Sequence, residues 1–433
     1  MTPTFRPALR RAGAAAAVLA LSLVSAACTI EDKDKASAGA APGDAAARTD
    51  TPGVTADSIK LGIAYPDYAE VKSFVNIDQG DFEAGYKALI DKINADGGIQ
   101  GRKIVPVFGK TSLVSPASAT ETCVKLTQDA KVFAVINNLP GNAQVPCFLQ
   151  TYRTAVIGSP LDTEMNAAAQ APWFSFETGR IPRKSVEAMA ARGDLAGRKV
   201  AVVTVSNDQA QTDSQVLPAL QAAGITPVAN GTLTMNGADP AALGQQAGVV
   251  FQKAQAAGAD TLLMVGGAAQ IVPQVLEKTA WRPRLLFTVV PSGYTTGKGQ
   301  HDFGTLKDSV AGAQITDWAD PALGACLDTV AKADPSLAGK LVDPATVPGG
   351  QPTPGASVAA ACRSLTLFKA IADKAGRTLD YASFKQAGNG LGRFHVPGYR
   401  DDATYAPTSP DGAIPVRVTV YDAPGNRFVP APN

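Results

Sequence analysis

Side chains suited to chemistry are few in this chain, and cysteine is the most informative of them. The chain has 433 residues with five cysteines and only two histidines, His301 and His395. So few histidines argue against a His-rich catalytic metal site. A zinc site built from the cysteines has no C-x-x-C pair to support it. We therefore predict no bound metal and no cofactor.

Four of the cysteines form an even set once Cys28 is set apart. In an oxidising compartment such a set is expected to form two disulfides. Four cysteines allow three connectivities. We favour the local one, which pairs Cys123 with Cys147 and Cys326 with Cys362.

Cys28 follows an N-terminal segment typical of an export signal. Basic residues precede an apolar run, and small residues lead directly to this cysteine. The order predicts a bacterial lipoprotein signal peptide over residues 1–27 and lipidation of Cys28. Ser25 stands where such signals usually have leucine, so ordinary cleavage, with Cys28 an incidental small residue, stays open. Residues 28–56 contain almost no large apolar side chains and predict a disordered tether.

Motifs for catalysis or nucleic-acid binding are not found in the sequence. There is no G-x-S-x-G elbow, Walker loop or G-x-G-x-x-G fingerprint, and the glycines of residues 388–392 have the wrong spacing. We therefore predict that the protein is not an enzyme. The formal net charge of +1 argues against nucleic acid, which needs a basic surface. It also argues against attachment to anionic lipid by charge alone.

The elements that would position a site alternate between strand and helix. Near residue 180 the alternation restarts, which predicts two lobes of similar α/β build with helices on both faces of a parallel sheet. Strands are predicted over 59–64, 103–108, 132–136, 155–157, 199–205, 261–265, 285–289 and, as an edge strand, 416–421. Helices are predicted over 81–94, 117–128, 142–151, 213–223, 240–257, 269–279, 321–333 and 357–374.

Two stretches are typical of one protein family. Residues 53–62 read GVTADSIKLG, and residues 93–104 read INADGGIQGRKI, in which paired glycines end a helix and turn into a strand. Both resemble the Leu/Ile/Val-binding family of ABC-transporter solute-binding proteins. The resemblance implies a periplasmic binding protein type I fold, with two doubly wound parallel-sheet lobes. Three hinge crossovers would join them, near 177–181, 311–317 and 393–399.

The same resemblance implies how the chain divides between the lobes. Lobe 1 would take residues 57–178 and 312–394, and lobe 2 would take residues 179–311 and 395–433. The ligand would lie between them, outside the carboxyl ends of the strands. Closure of the lobes about the crossovers would follow binding.

The implied ligand-binding residues lie in loops after the strands of both lobes. They are Tyr65, Tyr68, Asn138, Gly141, Asn142, Leu161, Asp162 and Thr163 from lobe 1, Gln211, Thr212, Gly267 and Ser292 from lobe 2, and Trp318 after the second crossover. The alternative for the two tyrosines is packing on the lobe surface. For Asn142, Asp162 and Thr163 it is capping of a helix. Arg180, beside the first crossover, is expected to pair with Glu177.

The second lobe departs from the amino-acid-binding members of that family, which supply an acid for the ammonium group of the ligand. Residues 266–269 and 290–294 contain no carboxylate. A buried ammonium without a partner is strongly unfavourable. A simple α-amino acid is therefore not expected unless Asp162 or Asp208 takes the role. Small residues from Gly267 to Ala269 leave room for a larger ligand, and we predict a neutral or acidic organic molecule.

The expected function is capture of a small organic solute outside the cytoplasm and its delivery to the permease subunits of an ABC importer. The protein is expected to be a monomer, attached by the lipid on Cys28 to the outer face of the bacterial cytoplasmic membrane. Fold alone does not decide function. One alternative is a sensory module that presents its ligand to a membrane receptor, and another is an adhesin or scaffold that has lost its ligand.

Overall fold

The structure is a computed structural model, and it describes residues 51–71, 78–115, 117–140, 144–234, 240–295, 301–348 and 351–432. Cys28, the predicted signal peptide and most of the predicted tether lie outside these ranges. Within them, no helix is both long enough and apolar enough to cross a membrane.

Fourteen strands lie in the described part of the chain. They are β1 (Ser58–Pro66), β2 (Lys103–Thr111), β3 (Ala134–Asn137), β4 (Ala155–Gly158), β5 (Trp173–Phe174), β6 (Val200–Val205), β7 (Ala229–Leu233), β8 (Thr261–Met264), β9 (Arg284–Phe287), β10 (Val310–Gln314), β11 (Gly392–Phe394), β12 (Ala403–Tyr405), β13 (Val416–Asp422) and β14 (Arg427–Pro430).

The α-helices of the described part surround these strands. They are α1 (Phe82–Ala95), α2 (Ser118–Val124), α3 (Thr163–Ala168), α4 (Ile181–Arg192), α5 (Gln209–Gln211), α6 (Leu217–Ala222), α7 (Pro240–Ala256), α8 (Ala268–Leu276), α9 (Ser292–Thr295), α10 (Pro321–Ala333), α11 (Pro354–Ala375) and α12 (Tyr381–Asn389). Wider π-helical turns lie at Lys125–Asp129, Cys147–Thr151 and Thr212–Val216.

Twelve of the strands form two large sheets, and β11 and β12 pair in a small third one. The two large sheets confirm the predicted two-lobed α/β fold. Sheet 1 has the order β2-β1-β3-β4-β5 and is parallel throughout. Sheet 2 has the order β14-β13-β10-β9-β8-β6-β7. Its first five strands in chain order pair in parallel, whereas β13 and β14 are antiparallel additions. We call the two units built on these sheets lobe 1 and lobe 2.

The central strands of both sheets are buried on both faces. Successive side chains of a strand point to opposite sides, so each of these strands contributes to two cores. In β3, Ala134 and Ile136 join one core of lobe 1 and Val135 joins the other. In β6, Val203 and Val202 divide in the same way between the two cores of lobe 2. Strands covered on both faces need the continuous apolar runs seen in the sequence.

The turn that ends α1 has the geometry that its paired glycines predict. Gly98 has a φ of +68°, and a Cβ added there would lie 2.1 Å from the carbonyl oxygen of Arg102. Ile99 and Arg102 then form a short antiparallel bridge that leads into β2. Only glycine fits this position without displacing the backbone.

The chain passes between the lobes at three places, two of them where the sequence indicates. The first lies between β5 and α4, and the second, residues 315–320, lies between β10 and α10. The third differs from the prediction near 393–399. Val396, Tyr399 and Ile414 still belong to the core of lobe 1, and the chain enters sheet 2 only at β13.

Other boundaries of the predicted lobes also differ from the observed elements. Strand β10 belongs whole to sheet 2, although the predicted boundary at residue 312 falls inside it. Val54 packs into the core of lobe 1, so the ordered chain begins before the predicted end of the tether. The predicted edge strand at 416–421 is β13, but β14 lies outside it and forms the edge.

The two disulfides have the predicted local pairing, and both lie in lobe 1. Cys123–Cys147 closes 24 residues of sequence between α2 and the segment before β4. Cys326–Cys362 closes 36 residues and joins α10 to α11.

Candidate functional site

The first predicted site loop, after β1, forms one wall of a cavity of about 510 Å³ at the carboxyl end of sheet 1. Tyr65 is buried and stacks on Phe82 with ring centroids 5.6 Å apart. Its hydroxyl donates to Glu83 Oε1 at 2.5 Å. Burial and this carboxylate raise the pKa of Tyr65 well above its usual value. Tyr68 is half-buried against the same Phe82 ring, so the structure brings both predicted tyrosines together.

Charged side chains around this cavity are paired with one another. Lys110 Nζ lies 2.6 Å from Asp67 Oδ2, and Lys87 Nζ lies 3.2 Å from Glu83 Oε2. Hydrogen bonds from Tyr65 and Lys87 hold the pKa of Glu83 below its usual range, against the opposing effect of partial burial. Because these charges are paired with one another, we expect this wall to contact an organic ligand through the rings of Tyr65 and Tyr68.

The loop after β3 is described only in part, because Gly141 and Asn142 lie outside the described residues. Asn138 is half-buried and serves the packing of lobe 1. Its Oδ1 accepts from Tyr86 Oη at 3.1 Å and its Nδ2 donates to the carbonyl of Ala64 at 3.3 Å. Asn138 thus joins α1, β1 and β3, and its place as a ligand contact stays a prediction.

Asn137, at the end of β3, was missed as an individual candidate. Its Nδ2 donates to Ser159 Oγ at 2.6 Å, while its Oδ1 is buried with no hydrogen-bond partner. Ser159 has a φ of +64°, which places it in the left-handed region. These residues connect the loop after β3 to the loop after β4.

The loop after β4 lies beside a second cavity, of about 190 Å³. Leu161 is buried in the core of lobe 1 and also lines this cavity. Asp162 Oδ1 accepts from the backbone N–H of Met165 at 2.7 Å, which makes it the N-cap of α3. Thr163 is the first residue of α3. One of the two carboxylate oxygens of Asp162 therefore caps a helix, as the alternative interpretation expected.

The opposite wall of the second cavity contains an ion pair that differs from the expected one. Arg180 Nη2 lies 3.1 Å from Asp411 Oδ2, whereas the expected partner, Glu177, is solvent-exposed. Asp411 is buried, and its Oδ1 has no hydrogen-bond partner. No local signal indicates this pair, because 231 residues separate its members.

In lobe 2, a carboxylate from a neighbouring loop accepts a hydrogen bond from the backbone at the start of α8. Asp208 Oδ2 accepts from the backbone N–H of Gly267 at 2.6 Å. Gly266, with a φ of +55°, has so little space that an added Cβ would lie 2.2 Å from the same oxygen. The predicted ligand contact Gly267 therefore already donates its N–H within the lobe.

The remaining predicted residues of lobe 2 divide between buried and exposed positions. The Thr212 side chain is buried, and its hydroxyl lies 2.9 Å from the hydroxyl of Thr204 and 2.9 Å from the carbonyl of Asp208. Gln211 is half-buried at the end of α5, and Ser292 is exposed at the start of α9. Thr212 faces the interior of lobe 2.

Trp318 lies in the second crossover, half-buried against the core of lobe 1. The structure thus groups Tyr65 with Tyr68 at one cavity and Leu161 with Asp162 at another. Gly267 lies near Asp208 on lobe 2. In the described residues no group of three or more His, Cys, Asp or Glu side chains has a geometry that could hold a metal ion.

Comparison with known proteins identifies a family and a shared fold. A family model described as periplasmic binding protein matches residues 58–414. Among curated proteins, none matches this sequence.

Solved structures with the same fold cover most of the chain at low sequence identity. An ABC transporter substrate-binding protein from Desulfitobacterium hafniense, in complex with Leu, matches with a TM-score of 0.59 and 16% identity, over 87% of this chain and 100% of that one. A type 1 periplasmic binding protein from Bordetella pertussis gives 0.62 and 14%, over 87% and 100%. A fatty acid ABC transporter substrate-binding protein from Thermomonospora curvata gives 0.58 and 14%, over 88% and 93%.

Proposed function

Because the chain belongs to the periplasmic binding protein family, we propose that it captures a small organic solute between its lobes and delivers it to an ABC importer. The match over residues 58–414 together with the two-lobed fold is the observation that carries this proposal. Open α/β sheets bind ligands outside the carboxyl ends of their strands. Here those ends hold the Tyr65–Tyr68 loop in lobe 1 and the Asp208–Gly267 contact in lobe 2.

The ligand that we propose is a neutral or acidic organic molecule and not a simple α-amino acid. Asp162 and Asp208 are the two acids that the sequence left for an ammonium group. Each already has one oxygen engaged by a backbone N–H, of Met165 and Gly267 respectively. Related folds serve different ligands, since one similar protein is in complex with Leu and another is named for fatty acid.

Calorimetric titration of the purified protein tests the ligand class. The panel would contain leucine, isoleucine and valine beside neutral metabolites, carboxylic acids and fatty acids. We expect saturable binding of a neutral or acidic compound and no tight binding of the three amino acids. At a free concentration a hundred times its Kd, such a compound would also stabilise the folded protein by about 2.7 kcal/mol. Tight leucine binding would disprove the ligand class while leaving solute capture intact.

The loop after β1 provides variants that test where the solute binds. Tyr68→Ala removes a half-buried ring at the 510 Å³ cavity, and Tyr68→Phe keeps the ring. We expect weaker binding from the first and near-normal binding from the second. Tyr152→Ala, a half-buried tyrosine packed against the core of lobe 1 away from this cavity, is the matched control. Equal losses for Tyr68→Ala and Tyr152→Ala would point to general destabilisation.

We also propose that the protein acts outside the cytoplasm as a monomer, attached to the membrane through a lipid on Cys28. Two disulfides in lobe 1 support an oxidising compartment. Mass spectrometry of the mature N-terminus tests the anchor. We expect a chain that begins at a diacylated Cys28, and that Cys28→Ala releases the protein from the membrane fraction. A mature chain with an unmodified Cys28 would disprove the anchor but not the export.

A further inference from the structure

His395 lies between two carboxylates and contacts both of them with its ring nitrogens. Nε2 lies 3.0 Å from Asp320 Oδ2, and Nδ1 lies 3.0 Å from Asp402 Oδ1. A carboxylate accepts hydrogen bonds, so both contacts are satisfied only when both ring nitrogens carry a proton. The geometry is therefore that of an imidazolium ion.

The two carboxylates come from different elements next to the crossovers. Asp320, the last residue of the second crossover, is the N-cap of α10, and its Oδ1 accepts from the backbone N–H of Ala322 at 3.0 Å. Asp402 precedes β12 in the hairpin that also carries Arg393, whose Nε lies 2.6 Å from Asp402 Oδ2. His395 consequently connects α10 to the β11–β12 hairpin.

The segment of residues 395–402, which these contacts hold, runs along the second crossover. Thr316 and Tyr399 form a backbone bridge, and the backbone N–H of Arg400 donates to the carbonyl of Ile315 at 2.9 Å. The N–H of Gly398 donates to Asp320 Oδ2 at 2.6 Å, the same oxygen that His395 contacts. Loss of one of these bonds exposes the next one to competition from water.

Other charged groups face this segment from the elements packed against it. On α11, Arg363 donates from Nε to the carbonyl of Pro397 at 3.0 Å. On β13 of lobe 2, Arg417 Nη2 lies 2.6 Å from Asp401 Oδ1. The segment that contains His395 is thus tied to lobe 1 by α10 and α11 and to lobe 2 by β13.

The electrostatic surroundings of His395 favour its charged form. Partial burial lowers the pKa of His395, but hydrogen bonds to Asp320 and Asp402 outweigh burial and raise the pKa above its usual value. A group with a raised folded-state pKa stabilises the fold below its unfolded value, about 6.5, and loses that contribution as the pH rises through the folded value.

We propose that His395 is a pH-dependent clamp on the junction of the lobes. In its charged form it holds the β11–β12 hairpin against the second crossover at Asp320. On deprotonation one of its two nitrogens becomes an acceptor facing a carboxylate, so one contact turns repulsive and the crossover is released. This property depends on the fold alone and does not require that the bound solute be known.

Nitrogen-detected NMR of the ring, combined with amide hydrogen exchange, tests the clamp in the full protein. The chain has only two histidines, so His301→Gln identifies the signals of His395 by elimination. We expect both ring nitrogens of His395 to be protonated at a pH where a free histidine is mostly neutral. Exchange of the amides in 315–320, corrected for intrinsic rates, should rise as His395 deprotonates. The expected rise is about tenfold for each unit by which its midpoint exceeds 6.5.

Three variants separate the clamp from a purely structural role. His395→Gln should give the fast exchange at every pH, and His301→Gln should keep the pH response. Asp402→Asn keeps the shape of the side chain and should lower the titration midpoint of His395, which preserves the test if His395→Gln does not fold. A midpoint at or below 6.5, or exchange in 315–320 that follows the wild type in His395→Gln, would overturn the proposal.

Discussion

The two lobes share one architecture, yet different interactions stabilise the interior of each lobe. Lobe 1 contains both disulfides, Cys123–Cys147 and Cys326–Cys362. Lobe 2 instead contains Asp194, whose side chain is 6% exposed and lies between two guanidinium groups. The stability of lobe 1 therefore depends on the redox state of its surroundings, whereas that of lobe 2 depends on a buried carboxylate and its two guanidinium partners.

The site loops differ between the lobes as well. On lobe 1 they present aromatic rings, with the charges nearby paired to one another. On lobe 2 they present Gly266 and Gly267, and the backbone N–H of Gly267 donates to Asp208. Ala268 and Ala269 are buried in the core of lobe 2, so the predicted room for a larger ligand is not formed by these alanines. If the solute binds between them, lobe 1 supplies most of the side-chain surface, and this loop of lobe 2 supplies mainly the backbone of Gly266 and Gly267.

Removal of a disulfide should produce one of the two largest effects, and only on lobe 1. In the double variant Cys123→Ala/Cys147→Ala the loss of a bridge that closes 24 residues should cost about 2–5 kcal/mol of unfolding free energy. Hydrogen exchange resolved by lobe would measure it. Faster exchange in sheet 1 with unchanged sheet 2 is expected, and equal acceleration in both sheets would refute the division between the lobes.

Loss of the buried carboxylate should affect lobe 2 on a similar scale. Asp194 Oδ1 lies 2.7 Å from Arg284 Nη2, and its Oδ2 lies 2.8 Å from Arg192 Nε. Asp194→Ala leaves both cations without their partner and should cost about 3–5 kcal/mol in urea unfolding. Asp96→Ala is the matched control, because its pair with Lys92 is more than half exposed and should contribute at most about 1 kcal/mol.

Acid should destabilise lobe 2 through the same residue. Burial raises the pKa of Asp194, but the hydrogen bonds from Arg192 and Arg284 outweigh it and hold the pKa below its usual value. The stability that Asp194 contributes is present above its unfolded pKa, about 3.9, and is lost as the pH falls through the lower folded value. Unfolding measured against pH should show this loss in the wild type. The acid loss should shrink in Asp194→Asn, and an unchanged profile would contradict the assignment.

The smallest effect should come from the Asp208 contact on lobe 2. Asp208→Ala removes the acceptor for the N–H of Gly267 and should cost about 1–3 kcal/mol, whereas Asp208→Asn keeps an oxygen acceptor and should cost less. Thermal unfolding compares the two variants. An equal loss of solute binding in both variants would show that the charge of Asp208 contacts the ligand.

Much of this fold could be predicted from local pattern. Apolar runs identified the central strands β1, β3, β4, β6, β8 and β9 because those strands are buried on both faces. Helical spacing identified α1, α7, α10 and α11. The local disulfide pairing was confirmed. The strands β5, β7, β10 and β14 were missed, since two to five residues carry too little pattern to distinguish a strand from a loop.

The site was harder to predict than the fold. Tyr65 and Tyr68 are close in sequence, so their shared cavity follows from one loop. Arg180 and Asp411 are 231 residues apart, and Arg284 and Asp194 are 90 apart. Local sequence offered Arg180 a nearer partner, Glu177, and the tertiary structure uses a different one.

By itself, the sequence determined the family resemblance, the alternation of strand and helix, the division into two α/β lobes and the even set of cysteines. These follow from burial and backbone geometry, which act over a few neighbouring residues. The tertiary structure decided where the third crossover lies, which charges pair, which acids cap a backbone N–H, and that His395 lies between two carboxylates. Such outcomes depend on which distant segments the packed core brings within hydrogen-bond distance, and only the folded chain specifies that.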